Sequence, residues 1–422
     1  MSLYQKASLV QIPSGYKAAD DKLYSVVPNN GDGDFTIDSD ADATRVNKDG
    51  LVETVAANQA RLNYDPTNPQ DPHLLLEPSR QNYTAYSAQF DNSYWTKATS
   101  DTTANPTVTA NVGTSPDGGS NADRVQLTAP PDNSWAVVKR DSINTGATVG
   151  SKLQQSLYLK AYDSSQVGKK VDIYMYDFSN TVYKTVYNYT LTADWERVVV
   201  EHTISGANTS TNIQFAFGKA RSSVGGSSQA ETATDFLVWG SQLEEGTYPT
   251  SYIPTSGSAV TRTADFCNIP SGAASVINSF KNEGTIFLDF EVPTVDPFFQ
   301  ITISNLTSGG NRIILNFISN EIRFQVLQNG SGAVGSVFAN TPVSYNQRIK
   351  LAGSFKTGAG ILYKNGSLAD DIDTSFTCDF GDTLQSVKFS GAGNTAKFTG
   401  KIYQFMYFDT ALSQSELATL TS

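Results

Sequence analysis

The chain has 422 residues, a hydrophobic fraction of 39%, a charged fraction of 17% and a formal net charge of -11. Single cores stop growing at about 250–300 residues, so two domains are expected, and this apolar content excludes a disordered chain. So acidic a balance repels phosphate backbones and anionic lipid, which argues against nucleic acid as a partner.

Gly (32) and Pro (16) are frequent while long Ala-, Leu- and Glu-rich stretches are scarce, a composition of short strands joined by turns. The opening "MSLYQKASLVQIPSGYK" carries no apolar run of signal-peptide length, and no segment approaches about 20 apolar residues. The expectation is synthesis in a cytoplasm, without Sec-type export and without membrane insertion. Cys267 and Cys378 lie far apart with no metal-ligand spacing and are expected to be buried thiols. His73 and His202 are the only histidines, which supplies a zinc site or a Ser-His-Asp triad poorly.

In chain order, residues 1–22 lack periodicity and are expected to form an arm or anchor. "NKDG" (Asn47 to Gly50) between "ATRV" and "LVETV" predicts a hairpin. Pro66, Pro69 and Pro72 are expected to exclude regular structure; Leu74, Leu75 and Leu76 then make a short buried strand that Pro78 stops. From Phe90 to Leu243 strands and turns alternate. The runs "QSLYLKAY", "VDIYMYDF", "KTVYNYTL", "ERVVVEHTI" and "NIQFAFGKA" are separated by clusters such as "SPDGGSN" and "ISGANTSTN". At least seven such strands predict an antiparallel sandwich.

"FLVWGSQLE" reads as its last strand, with Leu237, Trp239 and Ser241 on one face and Val238, Gly240 and Gln242 on the other. "TYPTSYIPT" is too proline-bound for a ladder and predicts an extended strap. Its Tyr248, Tyr252 and Ile253 pack back on the sandwich near "LLLEPSRQN", leaving Ser256–Ala259 flexible. Past residue 262 a second set of strands begins, with a hairpin at Asn365-Gly366. A closing helix has Ser413 as N-cap, Glu416 completing a capping box, and Leu412 with Leu417 as a hydrophobic staple. The fold class expected is all-β. It comprises an arm over 1–22, then two antiparallel β-sandwich (jelly-roll) domains in tandem over 23–262 and 263–422, ending in a short helix.

Two faces carry candidate binding chemistry. In "VDIYMYDF", Val171, Ile173 and Met175 oppose Tyr174, Tyr176 and Phe178; in "QSLYLKAY", Leu157, Leu159 and Ala161 oppose Tyr158, Lys160 and Tyr162. Tyr158, Tyr162, Tyr174 and Tyr176 are thus candidate glycan contacts, since tyrosine stacks on pyranose rings and adds a hydroxyl. The alternative is packing against loops or a neighbouring subunit. Asp32, Asp34, Asp38, Asp40 and Asp42 supply oxygen ligands of the kind calcium takes, against a bland reading in which they cap turn amides. No other cofactor is implied. Asp289 and Glu291 on one strand face are the nearest approach to a glycosidase carboxylate pair, but "LDFEVP" breaks off at Pro293, so an enzyme is not expected. Trp95 and Trp195 are expected as core or corner residues with a partner for the indole N–H, and Trp239 is expected inside.

The motifs "RVNKDGLVE", "LLLEPSRQN", "FDNSYWTK", "SPDGGSNADRV" and "VWGSQLEEGTYPTSYIPTSGSAVTRTAD" together resemble tail-fibre and virion-appendage proteins of tailed bacteriophages. There such segments belong to a carbohydrate-binding-module-like jelly roll. The sequence departs from that pattern at Ser39, near which an Arg is commoner, and at Ala60, where Pro is commoner. "RIKLAGSFKTGAGILYKNGSL" and "FTGKIYQFMYFDTALSQSELATL" resemble a concanavalin A/laminin-G-like lectin sandwich. The resemblance implies a virion location after assembly in the host cytoplasm. It also implies attachment to other virion proteins through the N-terminal region, a homo-oligomer with a trimer as first choice, and adhesion to a host surface glycan. A purely architectural role and, further off, a polysaccharide depolymerase are the alternatives.

Overall fold

The computed structural model describes residues 2–100, 104–129, 131, 133–177, 184–204, 212–221, 223, 226, 233–269, 276, 282–293, 298–305, 310–318, 321–328, 333–339, 343–369, 372–380, 384–391 and 393–422. Among them only Leu3–Lys6 and Gln414–Thr421 are α-helical, and the rest is strand, turn and short 3-10 helix. No helix among these residues is long and apolar enough to cross a membrane. The fold is all-β with antiparallel sandwiches, as the alternation predicts.

The chain divides into two compact units, but not in tandem. A middle unit holds residues 51–53 and 80–262, and a split unit holds residues 1–50, 54–79 and 263–422. The expected arm 1–22 and sandwich 23–262 are therefore corrected. The cause is strand pairing: Leu9–Gln11 and Asn68–Leu76 both pair with Gly400–Phe408, and Thr36–Asp38 pairs with Phe266–Ile269. Residues 1–22 are built into the split unit, with Leu9 and Val10 fully buried.

The middle unit is a sandwich of two five-stranded sheets. One orders Thr96–Thr99, Ala136–Asn144, Asn212–Lys219, Lys170–Asp177 and Lys184–Thr190. The other orders Thr107–Gly113, Ala122–Leu127, Thr234–Glu245, Lys152–Ala161 and Glu196–Thr203. Leu157, Leu159 and Ala161 of one sheet and Val171, Ile173 and Met175 of the other meet in a single core, as the alternation requires. Phe178 and residues 205–211, where the sequence predicts a turn, lie outside the described residues.

Two bulges interrupt the alternation. In Thr234–Glu245, Trp239 stands opposite Tyr158 and Gln242 opposite Ser156, leaving one extra residue at Gly240, whose φ of 66° suits glycine. The bulge reverses the faces, so Val238 and Leu243 share the core, not Val238 with Gln242 as simple alternation had it. In Ala136–Asn144, Arg140 pairs with Phe215 and Ile143 with Ile213, again with one extra residue; Ser142 takes φ 57°.

The strap after Glu245 is held by side chains freed for it. Gln242 Oε1 accepts from Ile253 N–H at 2.6 Å, Glu244 accepts from Thr250 N–H at 2.9 Å and from its hydroxyl at 2.7 Å, and Asn82 Nδ2 donates to Ile253 O at 2.9 Å. Tyr252 and Ile253 are buried as expected. Tyr252 packs with Trp239, Val52, Tyr158 and Trp195. Ser256–Ala259, expected to be flexible, is tied in by Gly257 N–H donating to Ala85 O at 2.7 Å. Val260–Arg262 then pairs with Arg80–Asn82.

The split unit packs two larger sheets over an aliphatic and phenylalanine core. Its Asn68–Leu76 strand contains Pro69 and Pro72, against the expectation that prolines exclude a strand there. Only Leu74–Leu76 ladder onto Gly400–Phe408, so the prolines occupy a stretch with no partner N–H to supply on that side. Asn365 and Gly366 both have positive φ, 48° and 80°, at the predicted hairpin turn. The C-terminal helix shows the capping box of Ser413 and Glu416, and Leu412 and Leu417 are buried together. Both cysteines are buried free thiols, and burial pushes Cys378 up to about 12.

Candidate functional site

The four candidate tyrosines do not share a face. Tyr174 and Tyr176 stand on the outer face of Lys170–Asp177, opposite Ala216 and Gln214. Tyr158 belongs to the other sheet and Tyr162 directly follows the same strand, so the four tyrosines form two separate faces. Tyr158 lies partly buried beside the strap, its ring 5.4 Å from Trp239. Burial pushes its hydroxyl pKa up. Tyr162 is 37% exposed but capped by the Arg124 guanidinium 3.7 Å from its ring, and that arginine is ion-paired with Asp235.

On the Tyr174 face the neighbouring floor is closed: Val137, Ala216 and Asp172 are fully buried. Asp172 is spent on structure, accepting from Asn188 Nδ2 at 2.7 Å and Ala220 N–H at 2.9 Å. Lys139 pairs with Asp141 at 2.9 Å, and Gln214 donates to the same carboxylate. The accessible part is a narrow strip, with burial raising the Tyr174 pKa.

A better-formed concavity lies at the edge of the same sandwich. It has a volume of about 460 Å³ and is lined by Gln81, Tyr83, Tyr94, Arg140, Ser142 and Asn144, among others. Local sequence builds it. The edge strand Thr96–Thr99 pairs with Ala136–Lys139 only, so Ala136–Asn144 runs on past it uncovered. There the Ser142 bulge widens the strand, and Tyr94, just before the edge strand, turns toward it. Arg140 occupies the inward-facing position between Val138 and Ile143, opposite Phe215. Its guanidinium stacks 4.4 Å from the centre of the Tyr94 ring. Its Nε–H is buried without an acceptor among the described residues, and no carboxylate pairs with it there. Burial raises the pKa of Tyr94 and of Tyr83, and the Arg140 charge opposes the rise at Tyr94.

Sequence reasoning missed this cleft. The signal was "AVVKRDSIN", where an apolar strand passes into Lys-Arg-Asp-Ser and alternation fails. Of the tryptophans, Trp95 is buried and donates to Tyr86 O at 2.9 Å, and Trp195 is partly buried and donates to Thr114 O at 3.0 Å. Trp239 is buried as expected, and its indole N–H has no partner among the described residues.

The aspartate run shows turn chemistry, not convergence. Asp34 Oδ1 accepts from Ser25 N–H at 2.8 Å and from its hydroxyl at 2.9 Å. Asp42 caps Ala57 N–H at 3.1 Å, and the backbone of Asp40 donates to Thr263 at 3.0 Å. Asp32 bonds locally to Asn30, and Asp38 lies in the Thr36–Asp38 strand. Among the described residues no three His, Cys, Asp or Glu side chains gather as a metal site. In the middle unit Lys97 Nζ donates to the carbonyls of Asp91 and Asn92 at 2.9 and 3.0 Å. Beside it Asp123 accepts from the amides of Phe90 and Asn111 at 2.7 and 3.0 Å. In the split unit Asp289 is held by Arg348 at 2.6 Å and Glu291 by Lys401 at 2.7 Å, so each carboxylate of that pair is neutralised.

A search of curated protein sequences finds no match. Among solved structures, the chain is similar to the CBM40 of Ruminococcus gnavus IT-sialidase bound to alpha2,3 sialyllactose, with 16% identity and a TM-score of 0.31, covering 36% of this chain and 87% of that one. It is also similar to the binding domain of botulinum neurotoxin DC in complex with SialylT, with 16% identity, a TM-score of 0.29, and coverage of 37% and 39%. Domain 4 of AbnA, a GH43 extracellular arabinanase from Geobacillus stearothermophilus in complex with arabinotriose, gives 16% identity, a TM-score of 0.29, and coverage of 42% and 82%. Residues 267–418, which lie wholly in the split unit, match the model of the concanavalin A-like lectin/glucanases superfamily, to which this segment is similar.

Proposed function

We propose that the chain is a structural protein of a tailed-phage virion, a fibre, spike or capsid appendage, which attaches to glycans of the host envelope without cutting them. The observation that carries glycan binding is the edge cleft of the middle unit. Two partly exposed tyrosines, Tyr83 and Tyr94, offer ring faces for a pyranose, and Gln81, Ser142 and Asn144 offer hydrogen-bonding edges in the same 460 Å³ space. The order of appendage motifs along the chain supports the virion setting. The ion-paired states of Asp289 and Glu291 support binding without hydrolysis. A homo-oligomer, a trimer in this reading, raises the avidity of individually weak sites by about 10²–10⁴.

The test is a glycan array read with the full chain, followed by titration of the best hit against Tyr94→Ala. Loss of at least about tenfold in affinity is expected, equivalent to about 1.4 kcal/mol. An array without hits, together with normal host adsorption by particles lacking the protein, would leave the architectural role in its place.

A further inference from the structure

Arg140 is the oddity of the cleft. An inward-facing strand position between Val138 and Ile143 ordinarily takes an apolar side chain, and a cation placed there costs solvation unless something neutralises it. Carboxylates near it in sequence or around the cleft have partners of their own. Asp141 pairs with Lys139, Glu245 accepts from the Ser151 hydroxyl at 2.6 Å, and Glu244 lies 3.9 Å from Arg80. Among the described residues Arg140 is held by Tyr94, its guanidinium 4.4 Å from the ring centre. In a chain with 41 acidic residues against 30 basic ones, a partly buried arginine that no carboxylate neutralises among the described residues presents an open positive charge to the cleft. The ring of Tyr94 fixes the guanidinium plane, and a fixed plane presents a fork that matches a carboxylate's two oxygens.

Building on the glycan-binding reading of this cleft, we propose that its ligand is an acidic sugar, a pyranose whose ring lies against Tyr83 or Tyr94 and whose carboxylate pairs with Arg140. Uronic acids and carboxylated nonulosonic acids share this chemistry. Ser142 and Asn144, displaced by the bulge, stand where ring hydroxyls would need partners.

The experiment uses the full chain and two oligosaccharides, one ending in glucuronic acid and one in a sialic acid. Each is compared with its counterpart in which the carboxyl is reduced to the alcohol, and with a neutral sugar bearing a sulfate. Titration calorimetry is expected to show at least tenfold tighter binding of a carboxylate form than of its reduced form. Arg140→Gln should abolish that preference while keeping weak binding of the reduced sugar, and Arg140→Lys should keep part of it. Tyr94→Ala should weaken both forms. Unchanged melting temperatures separate these effects from misfolding. Equal affinity for carboxylate and reduced forms, a preference untouched by Arg140→Gln, or a preference for the sulfated sugar would each overturn the acidic-sugar assignment while leaving glycan binding in place. Binding of none of the sugars would remove both.

Discussion

The guanidinium of Arg61 and the carboxylate of Asp265, 204 residues apart in sequence, form an ion pair inside the split unit. Glu77 completes the group, accepting from Arg61 at 2.7 Å, and all three side chains are nearly inaccessible. The backbone is drawn in as well: Glu77 N–H donates to Asp265 at 2.8 Å, Asp265 N–H to Glu77 O at 2.9 Å, and Arg61 to Thr44 O at 3.0 Å. Residues 77 and 265 flank the sequence of the middle unit, so this cluster ties together the point where the chain leaves the split unit and the point where it returns.

Arg61→Met is therefore expected to be strongly destabilising. It leaves two carboxylates buried without their cation, and breaking a buried pair this way costs about 3–5 kcal/mol. In differential scanning calorimetry the transition of the split unit should fall by about 10 °C, at roughly 2–4 °C per kcal/mol for a unit of this size. A transition of the middle unit should stay in place. An unshifted thermogram would show that the cluster is dispensable.

His73 makes the split unit acid-sensitive. It is buried, its Nε2 accepts from Asn63 Nδ2 at 3.1 Å, and desolvation pulls its pKa from 6.5 down to about 3. A lowered histidine pKa means that the unfolded chain binds a proton that the folded chain refuses. Stability is therefore intact above about pH 6.5 and is lost as pH falls from there toward 3, at up to about 1.4 kcal/mol per pH unit. Urea unfolding between pH 7 and 4 should show this slope, and His73→Gln should flatten it. The same slope in the variant would place the acid sensitivity elsewhere.

Trp239 and Tyr252 report on the strap. Their ring centres are 4.5 Å apart, and the Tyr252 hydroxyl is 2.6 Å from Ser87 Oγ. Tyr252→Phe keeps the ring and removes the hydroxyl with its bond to Ser87, and should cost about 1 kcal/mol. Tyr252→Ala also opens a cavity beside Trp239 and should cost about 3–5 kcal/mol, with a red shift of tryptophan emission. Equal stabilities for the two variants would mean that the ring contributes nothing and the strap is held by its hydrogen bonds, those of Gln242, Glu244, Asn82 and Arg197 among them.

What was legible in the sequence is what local pattern determines. Period-two alternation placed Leu157, Ile173 and their neighbours in the core, and capping chemistry placed the helix at Gln414. What was illegible depends on distant pairing or on a single extra residue. Nothing near Leu74–Leu76 announces a ladder with Gly400–Ile402, so the split of the C-terminal sandwich across both ends of the chain stayed hidden. The bulges at Gly240 and Ser142 shift register by one, which turned Gln242 from the core to the strap and opened the cleft beside Arg140. The tyrosine faces were read correctly along each strand, but alternation does not say which sheets those strands join.

That ambiguity gives the last prediction. Tyr174 and Tyr176 lie on the sheet's outer face next to a floor closed by Val137 and Ala216, whereas Tyr94 borders open space. If the cleft is the binding site, the double substitution Tyr174→Ala and Tyr176→Ala should leave glycan affinity within about twofold, well under the 1.4 kcal/mol that a tenfold change represents. In the oligomeric reading its effect falls instead on subunit association, seen as a lower mass in sedimentation equilibrium. Loss of glycan binding by that double variant, with its melting temperature and its mass preserved, would move the site from the edge cleft to the tyrosine strip.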